Sequence, residues 1–214
     1  MDFADISASE LYANCSLPQI EYSIPIINKF VQNGPFQQPQ LFAIMGFAQS
    51  YKTSIAVELL TSFTLFEHLK CEAIWLDCNF KFPIDLLKSR KIDLNKIKVA
   101  QCECSEHIIY NLLLIEHELE KKENNDGAPL RAIIIDSINS SYWIDVATNN
   151  ISNNSRYALK NIIERFVNRH GITMIVVFDD LFSSDPWKDI EQTPYIKLIC
   201  SSKKPGKGNF IIEP

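Results

Sequence analysis

The chain has 214 residues, 46% of them hydrophobic, which is enough for one domain with a full core. Its net charge of −5 and pI of about 5.4 argue against an autonomous nucleic-acid binder, although a local basic patch is compatible with them. The acidic start Met1-Asp-Phe-Ala-Asp5 is not that of a signal peptide, and no apolar run is long enough to span a membrane.

Residues 1–36 read as an N-terminal arm or linker and residues 37–214 as the core domain. Within the arm, Ser7 to Tyr12 has the pattern of a short capped helix, with Glu10 three positions after Ser7. Ile24 to Val31 is a short amphipathic piece, and Asn33-Gly-Pro35 and Gln37-Gln-Pro39 break the chain before the first apolar run. Short, β-rich apolar runs then come at Leu41–Met45, Ala73–Asp77, Ile97–Ala100, Ala132–Asp136 and Ile172–Phe178. Helical patterns fall between them at Ser54–Leu69, Pro83–Ser89, Glu106–Lys121 and Ser155–His170. Apolar runs without alternation predict strands covered on both faces. Their alternation with helices predicts right-handed βαβ units and a mainly parallel sheet. Tyr195–Cys200 and Asn209–Glu213 read as a terminal β-hairpin joined by the turn Ser201 to Gly208.

The first candidate site is Gly46-Phe-Ala-Gln-Ser-Tyr-Lys-Thr53, between a predicted strand and a predicted helix. This is the pattern of a phosphate loop, in which backbone N–H groups cradle phosphates, the lysine neutralises them and the hydroxyl holds magnesium. Gly46, Lys52 and Thr53 are present, but Tyr51 stands where the second glycine belongs and adds bulk where a ligand's phosphates would approach. The loop therefore reads as a degenerate site, a fold-determining turn in which ATP and magnesium would bind weakly. The second candidate is Asp136, which ends an apolar strand some eighty residues after Lys52 and suits the magnesium side of such a site. The alternative role for Asp136 is a helix cap or loop hydrogen bond. A hydrolase also needs a carboxylate near the end of the second strand to activate water. Asp77 is close to that position, but Asn79 stands two residues on, and an amide is no base at neutral pH.

These segments, in this order, resemble the RecA-type recombinase core, and within it the eukaryotic recombinase paralogues. Ile133-Ile-Ile-Asp-Ser-Ile-Asn-Ser-Ser-Tyr-Trp-Ile-Asp145 and Ala73-Ile-Trp-Leu-Asp-Cys-Asn-Phe-Lys-Phe82 look like the second X-ray-repair cross-complementing subgroup of those paralogues. The resemblance covers roughly residues 40 to 200. Active members differ at three places: a glycine where this chain has Tyr51, a glutamate near Asn79, and Asn-Gln where it has Asp179-Asp180. Carboxylates in that last place would repel a terminal phosphate. The resemblance thus implies a non-catalytic nuclear subunit without the helical N-terminal domain of full recombinases. It further implies a Shu-type complex in DNA repair by homologous recombination. There the chain pairs with another RecA-like paralogue and a zinc-binding partner, and the complex supports a recombinase filament on single-stranded DNA. The alternative from another class is a working phosphate-loop ATPase or small kinase with Asp77 or Asp180 as base.

For DNA contact the best basic cluster is Lys203, Lys204 and Lys207 in the terminal turn, where a phosphate contact and a solvated turn are both open. Tyr142 and Trp143 have the chemistry to stack on bases, though packing against a helix is the commoner use of such a pair. Trp187 and Lys188 lie among acidic residues, which suits phosphate poorly. Lys88, Arg90, Lys91, Lys96 and Lys98 read as a surface face. The six cysteines form no C-x-x-C pair and read as buried thiols in a reducing compartment. The four histidines lack metal spacing.

Overall fold

The computed structural model describes residues 40–46, 50–64, 72–121, 130–140, 153–179, 195–204 and 207–213. The N-terminal arm, the aromatic pair Tyr142–Trp143, Trp187 and Lys188, and Asp180 lie outside the described residues.

The molecule is α/β. Its strands are β1 (Leu41–Gly46), β2 (Glu72–Asp77), β3 (Ile97–Gln101), β4 (Leu130–Asp136), β5 (Thr173–Asp179), β6 (Tyr195–Lys204) and β7 (Lys207–Glu213). The helices are α1 (Lys52–Thr64), α2 (Ile84–Ser89), α3 (Ser105–Lys121) and α4 (Asn153–Asn168). One sheet holds all the strands in the order β3-β2-β4-β5-β1-β6-β7. Its first six strands run parallel, and β7 pairs antiparallel with β6.

Residue alternation within each apolar strand explains why the sheet is covered on both sides. Phe42 and Ile44 of β1, Ala132 and Ile134 of β4, and Ile175 and Val177 of β5 face one core, shared with Ala56, Val57, Leu59 and Leu60 of α1. The residues between them, Leu41 and Ala43, Ile133 and Ile135, Met174 and Val176, face a second core. That second core is closed by Ile108 and Leu112 of α3 and by Leu159, Ile162, Ile163 and Phe166 of α4. Every side chain of a central strand is therefore needed on one face or the other, and the sequence shows an unbroken apolar run. At the edge, β3 buries Ile97 but exposes Lys98, Val99 and Gln101. This strand is apolar in sequence, yet only part of it is covered.

Across the second face, α3 and α4 are tied by a polar clamp. Glu116, buried in the middle of α3, accepts two hydrogen bonds from the Arg165 guanidinium of α4, from Nε at 2.8 Å and Nη2 at 2.7 Å. His170 Nε2 lies 3.3 Å from the same carboxylate. These contacts hold the Glu116 carboxyl well below its usual range, at about 2, with the Arg165 hydrogen bonds as the largest cause.

Some elements begin and end differently from the sequence-based expectation. Helix α1 starts at Lys52 rather than Ser54, which puts the loop's lysine and threonine in its first turn. Strands β6 and β7 reach Lys204 and Lys207, whose Cα positions are partners. The expected turn from Ser201 to Gly208 is thereby shortened. Ladder pairing uses backbone groups, so it continues through polar residues such as Ser201 and Ser202 after the apolar pattern has stopped.

Candidate nucleotide site at the carboxyl edge of the sheet

In open parallel sheets, ligands sit beyond the carboxyl ends of strands where the winding reverses. Here that point is β1. The chain leaves β1 through α1 toward β2 on one side, whereas the neighbouring strand β5 leads the other way to β6. Lys52 and Thr53 stand in the first turn of α1, just past β1, and Asp136 ends β4, two places along the sheet.

The structure brings the predicted residues Gly46, Lys52, Thr53 and Asp136 together. The Lys52 ammonium, largely buried, donates to the Gly46 carbonyl at 2.9 Å and lies 3.5 Å from the Ser50 hydroxyl. The Thr53 hydroxyl donates to Asp136 Oδ2 at 2.9 Å. Asp136 is buried, and its peptide bond to Ser137 is cis. A hydroxyl and a carboxylate side by side are hard oxygen donors. They suit magnesium, which takes one or two protein oxygens and completes its shell with phosphate and water. Among the described residues no group of three or more His, Cys, Asp or Glu is placed to hold a metal by itself. Any such ion would come with a phosphate ligand, and Thr53 and Asp136 are the residues that would hold it.

Gly46 is fixed by space. A Cβ there would lie 2.4 Å from Ser50 Oγ and 2.5 Å from the Cys200 carbonyl of β6, its register partner. Cys200 is buried beside the site. Loss of solvent pushes its thiol up to about 11, against the opposing field of Lys52, so it stays protonated at neutral pH.

Tyr51 shows how the loop accommodates its replaced glycine. Its φ is +63°, in the left-handed region that glycine enters freely and other residues enter at a cost. At this one position the backbone adopts a conformation that glycine takes freely, while carrying a tyrosine. Its side chain is on the surface, 39% exposed, rather than buried in the core.

Asp77 has a different role from the one a hydrolase would give it. Its carboxylate is buried, and both oxygens accept backbone hydrogen bonds, Oδ1 from Lys81 N–H and Oδ2 from Phe82 N–H, each at 3.1 Å. Asn79 caps the same turn, its Oδ1 accepting from Lys81 N–H at 2.9 Å. Asp77 therefore anchors the turn after β2. Asp179, the last residue of β5, is the register partner of Gly46, so its backbone lies beside the loop.

Lys203 and Lys204 end β6 and Lys207 begins β7, so they lie on paired strand ends rather than in a long turn. The basic stretch is a surface face, as expected, with Lys88, Lys91 and Lys98 exposed and Arg90 paired with Glu58. Sequence reasoning missed the Glu116–Arg165–His170 clamp. Only a glutamate inside the apolar stripe of α3 hinted at it. No family model matches the chain, and no curated protein matches it either.

Proposed function

We propose that the chain is a non-catalytic RecA-like subunit of a recombination-mediator complex. It promotes the assembly or stability of a recombinase filament on single-stranded DNA during homologous-recombination repair. The observation that supports this best is the carboxyl edge of the sheet. Lys52, Thr53 and Asp136 converge there, while Asp77, the carboxylate nearest the position of a base, is committed to two backbone N–H groups. The sheet order and the helices on both faces are consistent with a RecA-like core. The sequence pattern Gly46 to Thr53 supports an inherited phosphate site, with Tyr51, Asn79 and the Asp179-Asp180 pair standing against turnover.

A subunit also needs a surface for a partner. Helix α3 buries Ile108 and Leu112 on one side, yet Tyr110, Leu113 and Leu114 on the other are exposed, Tyr110 by 66%. An apolar stripe of that kind suits protein contact. In this proposal the stripe meets another RecA-like paralogue of a nuclear Shu-type complex that includes a zinc-binding partner.

The test is co-expression with candidate RecA-like paralogues, followed by size-exclusion chromatography with light scattering. A stable heterodimer that is lost in Leu113→Glu/Leu114→Glu, while the isolated variant stays folded, supports the proposal. A chain that stays monomeric with every paralogue and hydrolyses ATP contradicts it.

A further inference from the structure

Cys78 and Cys102 come immediately after the ends of β2 and β3. The parallel ladder pairs Asp77 with Gln101 and then continues, because the Cys102 N–H donates to the Asp77 carbonyl at 3.0 Å. Carried one residue further, the same register sets Cys102 opposite Cys78. Neighbouring strands lie about 4.8 Å apart, inside the ~4.4–6.8 Å Cα separation that a disulfide spans. Both thiols are free, and both side chains point into the same core as Ile108 and Leu112. The Cys78 thiol donates to the Leu76 carbonyl at 3.7 Å and the Cys102 thiol to the Ala100 carbonyl at 3.9 Å, while Asn111 Nδ2 lies 3.6 Å from the Cys102 sulfur.

We propose that Cys78 and Cys102 are a redox modification site, closing a reversible disulfide that ties the edge strand β3 to β2. The oxidant is hydrogen peroxide. The Cys102 sulfur attacks one peroxide oxygen and the O–O bond breaks, giving a sulfenic acid and, with one proton, water. The Cys78 sulfur then displaces the sulfenic hydroxyl, which leaves as a second water with the Cys78 proton. The two thiols lose two electrons in all and the peroxide gains them. A dithiol reverses the bond.

The environment suits these roles. The neighbouring Cys78 thiol makes Cys102 easier to ionise, against the effect of burial, and the Asn111 amide adds to it. Both sulfurs are buried, so attack requires local opening, and among the described residues β3 is an edge strand with β2 as its one neighbour. Opening an edge costs less than opening a central strand. The pair also adjoins the candidate nucleotide site, since Cys78 N–H donates to the Asp136 carbonyl at 2.8 Å.

The test treats the folded full-length chain with hydrogen peroxide, alkylates the remaining thiols, and maps the cysteines by peptide mass spectrometry. The expected result is one dithiothreitol-reversible link between the peptides carrying Cys78 and Cys102. Constraining the loop between them should raise the Tm by roughly 5–15 °C. Both effects should vanish in Cys102→Ser and persist in Cys104→Ser; if Cys102→Ser does not fold, Cys78→Ala takes its place. Full alkylation of Cys78 and Cys102 after treatment, or links running chiefly to other cysteines, would overturn the proposal.

Discussion

Replacing Glu116 by glutamine tests the clamp between α3 and α4. The amide keeps the side chain's shape but presents an NH2 group to a guanidinium that donates at two points, 2.8 and 2.7 Å away. One strong bond is lost and the charge that attracts Arg165 and His170 disappears. A hydrogen bond to a charged group contributes about 1.5–3 kcal/mol, discounted here because Arg165 is part-exposed. The expected loss is about 1–2 kcal/mol, or roughly 2–8 °C in Tm for a domain of this size. The pH dependence adds a second readout. The folded carboxyl titrates at about 2 against an ordinary value of 4.5. A depressed folded pKa contributes stability that is fully present above the unfolded value and is lost as pH falls toward the folded one. The gap between wild type and Glu116→Gln should therefore be constant above about pH 5 and shrink between about 4.5 and 2. Urea titrations of both proteins from pH 7 to pH 3 measure it. A gap that is absent at pH 7, or as large at pH 3 as at pH 7, would refute the clamp.

Three further changes probe the site. Asp77→Asn removes an acceptor from one of two backbone N–H groups, so denaturation should show a loss of about 1–3 kcal/mol. A catalytic base would instead show lost turnover at unchanged stability. Gly46→Ala must displace Ser50 or the Cys200 carbonyl, and should cost about 1–3 kcal/mol in the same assay. A neutral result would mean that β1 and β6 leave room for a methyl group between them. Tyr51→Gly relieves a left-handed residue worth about 1–2 kcal/mol but frees the unfolded chain by about 0.4–1 kcal/mol. Its Tm should hold or rise slightly, and its affinity for a fluorescent ATP analogue with magnesium should increase over wild type. A marked fall in Tm would show that the tyrosine side chain supports the loop.

The architecture was legible because a doubly covered sheet leaves so clear a trace. Leu41–Met45 and Ala132–Asp136 are unbroken apolar runs since alternate residues serve opposite cores, and helical patterns separate them. The meeting of Thr53 with Asp136 was also foreseeable, because such strands bring their carboxyl ends to one edge. What escaped was set by tertiary partners. A glutamate on α3 looks like any helix residue until Arg165 is folded against it. Asp77 resembles a spare acid until the turn supplies Lys81 and Phe82 N–H groups. The length of β6 was hidden because ladder bonds leave no mark on side-chain polarity.

The most direct test of a non-hydrolysing mediator subunit measures filament growth and ATP turnover together. A RecA-type recombinase is assembled on labelled single-stranded DNA with and without the chain in complex with its paralogue. Faster or longer-lived filaments are expected. The chain alone should release no more phosphate than its Lys52→Ala variant. Unchanged filaments, together with magnesium-dependent turnover by the isolated chain that Lys52→Ala abolishes, would contradict the proposal and point to an enzyme.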